Sequence, residues 1–417
     1  MESTWPTVKL GDLLEVKHGF AFLGEHFADA GTHIVLTPGN FFDEGGFKYK
    51  GDKEKWYRGP IPSDYVLNEG DLIVAMTEQA EGLLGSSAII PRSGLYLHNQ
   101  RLGLVKLRDS EQTDTRFAYY LFNSKPVRQQ IRGSASGTKI RHTAPSRIAE
   151  VKVSAPPIAI QQRIAGILCA YDELIENGQR RIKILEAMAH ALYREWFVHF
   201  RFPGHDSVPR VPSALGEIPQ GWEGVFSGIA SIDRDGINPP DFPSERFEHF
   251  SIPAFDDGRT PTIELGKTIL SNKYRIDDSC VLLSKLNPRI PRIWLPAPTG
   301  QQRAITSTEF LVLKPKSGFS REFVYAKCDA EGFCAQFASL AIGTSTSHQR
   351  VKPENLLAMP STVPEQAVVG DFTKTVAPLL AISEELRAGI QNLRRTRDLL
   401  LPRLLSGQID VEAMVHA

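Results

Sequence analysis

The sequence predicts an α+β fold in which two globular mixed α/β domains alternate with two long helices, and the helices pair as an antiparallel coiled coil. Three observations predict it. Apolar residues in the middle of the chain recur alternately three and four apart. The same spacing returns near the C-terminus. Five short motifs recur in the same order, 202 to 217 residues apart. A period of that size, carrying a globular segment and then a long helix each time, reads as a tandem repeat with pseudo-two-fold organisation.

The central helix is read from residues 156 to 203. Ile164, Leu168, Tyr171, Ile175, Ile182, Leu185, Ala189, Leu192 and Trp196 form a heptad seam, interrupted where Gly178 takes an inward position. Pro156 and Pro157 suit a helix start, and Pro203 with Gly204 a helix end. A helix of about 40 residues rises roughly 60 Å, longer than one compact domain needs, so a spacer or assembly surface is expected. The C-terminal helix, within residues 363 to 417, repeats the pattern with Phe372, Val376, Leu379, Leu386, Ile390, Leu393, Leu400 and Leu404. Ser383 and Arg397 fall on the seam and weaken it, and Pro378 is expected to kink it.

Residues 1 to 155 form the first globular domain. Its best strands are Ile34–Thr37, Asp71–Met76, Ser87–Ile90 and Leu102–Leu107, followed by short helices at Phe117–Asn123 and Pro126–Arg132. Residues 204 to 362 form the second, with strands at Cys280–Ser284, Ile293–Pro296 and Glu309–Leu313 and a helix at Arg321–Phe337. The repeat aligns Trp5 with Trp222, Gly70 with Asp278, Asn99-Gln100-Arg101 with Gln301-Gln302-Arg303, Gly137 with Gly343, and Pro156 with Pro360.

Composition excludes little. Lys plus Arg equals Asp plus Glu at 48 each over 417 residues, so any nucleic-acid binding has to come from local patches. The four cysteines (Cys169, Cys280, Cys328, Cys334) have no CxxC spacing, which points to a reducing, cytoplasmic setting without a zinc site or disulfide frame. No stretch of 18 apolar residues and no apolar leader are read, so no membrane association is expected.

Catalytic motifs fail on inspection. Asn238-Pro239-Pro240 is followed by Asp241, where base-flipping methyltransferases place a stacking aromatic residue. Gly266-Lys267-Thr268 resembles the end of a phosphate loop, but Pro261 stands where its first glycine belongs. His190 and His199 are nine apart on a helix and do not share a face. No catalytic residue, metal ligand or cofactor is expected.

The residues that carry binding chemistry cluster in loops. Between Lys125 and Arg147 stand six basic residues (Lys125, Arg128, Arg132, Lys139, Arg141, Arg147) and no acidic one. Within that stretch Gly137-Thr138-Lys139 opens a Gly/Ser-rich loop whose backbone N–H groups can approach phosphate. Its second copy offers Thr344, Ser345, His348 and Arg350, again in a stretch without an acidic residue. Asn99, Gln100, Arg101, Gln301, Gln302 and Arg303 have side chains suited to base edges: Asn or Gln for adenine, Arg for guanine. The plain alternatives are solvated loops and polar hairpin turns. Lys48, Lys50, Lys53 and Lys55 are interleaved with Asp52 and Glu54 and read as a solvated loop.

Three segments resemble the DNA-specificity subunits of Type I restriction-modification systems: LEAMAHALYREWFVHFRFPG at residues 185–204, Pro364-Glu365-Gln366 at the head of the second helix, and RTRDLLLPRLLSGQIDV at residues 395–411. Gln161-Gln162 departs from the Glu-Gln pair usual there. The resemblance implies a non-catalytic protein in which each globular domain reads one half-site of double-stranded DNA. The helices would set the gap between half-sites. Two copies of a modification (methyltransferase) subunit and a restriction subunit would be its partners. A coiled-coil scaffold whose globular domains bind protein is the alternative, supported by the zero net charge.

Overall fold

The computed structural model describes residues 5–78, 81–343 and 349–411. The chain divides into two compact units, Met1–Ile175 with Asn392–Ala417, and Glu176–Gln391. Each unit takes one globular domain together with a segment from each long helix.

In the first unit a four-stranded antiparallel sheet has the order Leu14–His18, Leu102–Leu107, Leu72–Ala75, Ser87–Ile89. The middle strands are apolar on both faces, because both faces are covered. On one face pack the helices Thr115–Asn123 and Lys125–Gly133, through Phe117, Leu121, Phe122, Val127 and Ile131. Ile34, Leu36, Leu67 and Tyr96 build the core on the other face. There a smaller sheet runs Phe27–Ala28, Trp56–Tyr57, His33–Val35, Tyr96–Leu97, with the last pair parallel. Thr7–Lys9 pairs with Lys152–Ser154, which tethers the start of the domain to the head of the central helix.

The second unit repeats this plan. Its four-stranded sheet runs Ala230–Asp233, Phe310–Pro315, Val281–Ser284, Ile293–Trp294. Glu223–Val225 pairs with Pro360–Thr362 as Thr7–Lys9 does with Lys152–Ser154. The second sheet differs in its outer strands. It has five, in the order Gly236–Ile237, Lys273–Arg275, Arg303–Ser307, Arg246–Phe250, Thr262–Leu265, around the one parallel pair that both units keep.

The helix expected at Arg321–Phe337 is two helices, Arg321–Asp329 and Glu331–Ser339, separated by Ala330 in an extended conformation. Ser124 separates the corresponding pair in the first unit. There Pro126 signals the break, since proline suits the first turn of a new helix, where its missing N–H is not needed. Around Ala330 no proline marks it, and the packing of the second helix imposes it.

The central helix spans Ile158–Tyr193 and ends in a π-turn at Arg194–Val198. The C-terminal helix spans Gln366–Leu405. The two run antiparallel in each unit. In the first, Ile164 and Leu168 share a core with Leu404 and Leu405, and Asp172 meets Arg397. In the second, Glu186 meets Arg387, and Phe197 packs on Phe372 at 5.1 Å between ring centroids. A Cβ on Gly178 would come within 3.1 Å of the Ile390 side chain, so the gap in the heptad is a place of close helix approach.

Two seam expectations change. Leu192 and Trp196 are only partly buried, and Tyr193 and Phe197 point inward instead. Those two rings join Phe323 and Phe372 in an aromatic cluster. Pro378, the expected site of a kink, lies within the continuous C-terminal helix. It lies on an exposed face, where the carbonyl it leaves unbonded can turn to water. Ser383 is buried but satisfied, its hydroxyl donating to the Leu379 carbonyl at 3.1 Å.

Candidate nucleic-acid interface

The strand Leu72–Ala75 runs out into Met76, and Met76 organises the site of the first unit. Its N–H donates to the Arg101 carbonyl at 3.0 Å, and its carbonyl accepts from the Thr143 N–H at 2.9 Å. Beyond it Thr77–Glu78 pairs with Arg141–His142. The turn at Asn99–Arg101 and the loop around Lys139 therefore flank one sheet end. Two loops far apart in sequence become neighbours through a methionine that no binding motif marks.

The 99–101 turn is built tightly. The Asn99 carboxamide oxygen accepts from the Arg101 N–H at 3.2 Å, and the Asn99 carbonyl from the Leu102 N–H at 2.9 Å. A Cβ on Gly19 would stand 2.0 Å from the Asn99 carbonyl oxygen, so only glycine lets this turn sit down. Beneath it His98 is fully buried. Its Nε2–H donates to the Leu102 carbonyl at 2.9 Å, and burial pushes its pKa down to about 4. With Asn99 turned to its own backbone, Gln100 and Arg101 remain exposed.

The neighbouring loop turns at Gly137, whose φ of +99° is open to glycine and strained for other residues. Thr138 and Lys139 are exposed, and Arg141 is partly so. Neither Lys139 nor Arg141 makes an ion pair among the described residues. Two other basic residues of the stretch are committed within the protein. Arg128 donates to the Leu84 carbonyl at 2.9 Å and to the Gly82 carbonyl. Arg132 pairs with Glu81 at 2.5 Å and lies 3.8 Å from Glu78. That hydrogen bond to Arg132 holds the Glu81 carboxyl below its ordinary range. Arg132, expected to meet DNA, is thus held in an ion pair at the surface of the unit.

The second unit builds its site in the same way. The Lys285 N–H donates to the Glu309 carbonyl at 2.9 Å, and the Val351 N–H to the Lys285 carbonyl at 3.1 Å. Leu286 bridges to Arg350. Thr143 and Val351 thus correspond, 208 apart (351 − 143), as do Arg101 and Glu309 (309 − 101).

That equivalence corrects the repeat read from sequence. Gln301-Gln302-Arg303 does not occupy the place of Asn99-Gln100-Arg101. It leads into Arg303–Ser307, a strand of the five-stranded sheet and one strand earlier in the chain. The Arg303 guanidinium pairs with Glu245 and lies 4.2 Å over the Phe242 ring. The residue standing where Arg101 stands is acidic: Glu309, which pairs with Arg350 at 3.0 Å. Gln301 remains exposed. Thr344, Ser345 and His348 lie outside the described residues. Both units thus share a scaffold and differ in the chemistry they present.

No group of three or more His, Cys, Asp or Glu placed to hold a metal ion occurs among the described residues. Nor is any helix of the described residues long and apolar enough to cross a membrane.

Each unit thus joins a two-sheet globular domain to a segment of paired helix. Residues 2–187 match the family model of the Type I restriction modification DNA specificity domain. The chain is 24% identical over 309 residues to the Type I restriction enzyme MjaIX specificity subunit of Methanocaldococcus jannaschii, covering 72% of this chain and 70% of that one. It is 26% identical to the MjaVIII specificity subunit of the same organism, over 39% of this chain and 35% of that one. The fold is similar to that of a Type-I restriction-modification system S subunit from M. genitalium, with a TM-score of 0.62 at 16% identity over 97% of this chain and 96% of that one. Residues 2–187 thus resemble the DNA specificity domain of Type I restriction-modification systems, and the chain is similar to a curated specificity subunit in sequence and to a solved S subunit in fold.

Proposed function

We propose that the chain recognises a bipartite, asymmetric double-stranded DNA target, one half-site per globular domain, and performs no chemistry of its own. The observation that carries this reading is the repeated constellation at the sheet ends, at Met76 and at Lys285. It is held by the same backbone hydrogen bonds in both units and furnished with different side chains. Equal frames with unequal chemistry suit two unlike half-sites. The paired helices set the gap between them. Two copies of a methyltransferase subunit dock on the repeat, and a restriction subunit joins that core. A repeat in one chain imitates a dimer and so offers two like places to two like partners, while its domains stay free to diverge.

The experiment is to co-express the chain with a modification subunit in a methylation-free host and map adenine methylation genome-wide. The expected result is one split motif with two unlike halves. Methylation without sequence preference, or at an unsplit motif, would overturn the reading. A protein-binding scaffold would give no chain-dependent motif at all.

A further inference from the structure

The connection after the strand Val281–Ser284 carries a second recognition element in the second unit. It runs Lys285-Leu286-Asn287-Pro288-Arg289-Ile290-Pro291-Arg292 and closes where the Ser284 N–H donates to the Arg292 carbonyl at 2.9 Å. Everything around its tip is fastened. Asn287 adopts a φ of +48°, and its carbonyl accepts from the Ile290 N–H at 2.8 Å. Pro288 is buried, and Pro291 fixes a backbone angle on the far side. Arg292 makes a two-point ion pair with Asp256, at 2.7 and 2.9 Å. The Asn287 N–H donates to the Gln349 carbonyl at 2.9 Å, which joins this loop to the backbone beside Arg350.

The fastened loop presents an apolar and a cationic side chain together at its tip. Ile290 is 54% exposed. Arg289 beside it is exposed and makes no hydrogen bond or ion pair with any described residue. In the corresponding connection of the first unit, the buried Glu78 carboxylate accepts from the Gly82 N–H at 3.1 Å and the Leu84 N–H at 2.9 Å, which ties those residues to the strand end. Rigidity is what a reading element needs, because a loop ordered beforehand loses little entropy on binding.

We infer that Arg289 and Ile290 read base edges of the second half-site in the major groove. Arg289 takes a guanine through O6 and N7, and Ile290 packs on the C5 methyl group of a thymine. The inference rests on the DNA-reading function proposed above. It adds which residues of the second domain specify bases.

The test uses the full chain assembled with its modification subunit. The split motif is mapped for the unchanged protein, for Arg289→Gln and for Ile290→Ala. The expected result is relaxed preference at one position of the second half-site for each variant, by about 5- to 150-fold, with the first half-site unchanged. The intact first half-site and an unaltered melting temperature report that the variants fold. A second arm replaces thymines of the second half-site by deoxyuridine, which removes only the methyl group. One replacement should weaken the unchanged protein as much as Ile290→Ala does, and should leave that variant unaffected. Preference unchanged in both variants overturns the inference, and so does a uniform loss on all sequences, which would mean phosphate contact. A second half-site with no thymine, or indifference to every deoxyuridine, overturns the assignment of Ile290. If the unchanged protein directs no split motif, the parent reading fails first, and that outcome is distinct from the others.

Discussion

Lys139 and Arg141 are cations of the first unit left without an ion pair among the described residues. Arg128 and Arg132, in the helix that precedes their loop, are bound to loop carbonyls and to Glu81. Basic residues close in sequence thus divide into braces and free cations according to what the fold sets opposite them. Replacing Lys139 and Arg141 together by alanine should weaken DNA binding by the assembled complex. A loss uniform across sequences would mark phosphate binding, and the salt dependence would then be shallower by about one unit of slope for each phosphate no longer neutralised. A loss confined to one half-site would mark base reading. Affinity titrations at several salt concentrations separate the two.

At the same scale His98 makes the first domain sensitive to acid. Its ordinary pKa is 6.5, and burial lowers it to about 4. Between those values the unfolded chain takes up a proton that the folded chain refuses. The contribution is therefore fully present above pH 6.5 and is lost as pH falls toward 4, by roughly 3 kcal/mol at 1.36 kcal/mol per pKa unit. Urea unfolding at pH 7 and pH 5 should show this fall, and His98→Leu should flatten it. An equal fall in the variant would place the acid sensitivity elsewhere.

At the scale of elements, the helix pair is held by apolar seams with a few charges set at their edges. In the first unit Arg397 reaches Asp172 at 2.6 Å, and Asp172 also accepts from the Tyr120 hydroxyl at 2.6 Å. A charge on the seam read from sequence as a weak point is thus a tie between both helices and the domain. Arg397→Leu would leave Asp172 with only the tyrosine. The expected cost is about 1–3 kcal/mol, reduced from the value for a fully buried pair because both side chains retain some solvent access. Asp172→Asn with Arg397→Leu should recover part of it. Thermal unfolding of the four combinations measures the coupling, and additive losses would show that the pair is not a tie.

Across the whole molecule, the two units share the order of their larger-core four-stranded sheet and differ in their second sheet and surface residues. Exchanging residues 204–362 for the corresponding segment of another specificity subunit should therefore change one half of the methylated motif and keep the other. Methylome mapping of the hybrid reads this directly, and a change in both halves would contradict modular reading.

Much of this architecture was written in local patterns. The heptads, the prolines before the long helices, Leu102–Leu107 and the apolar run within Asp71–Met76 depend on side-chain periodicity, which neighbouring residues determine. The duplication was visible for the same reason, and the bridges Ser136 to His142 and Ile342 to Arg350 stand at corresponding places in the two units. What only the tertiary structure decided is which cations are held in ion pairs and which are left without one among the described residues. Arg132 and Arg303 look like Arg101 in sequence, but a carboxylate distant along the chain, Glu81 or Glu245, claims each of them. Glu309 in the place of Arg101, and Met76 as the hinge of the site, follow from pairing between strands far apart in the chain. Ion pairs and sheet registers join segments with no sequence relation to one another, so no local reading of either segment contains them.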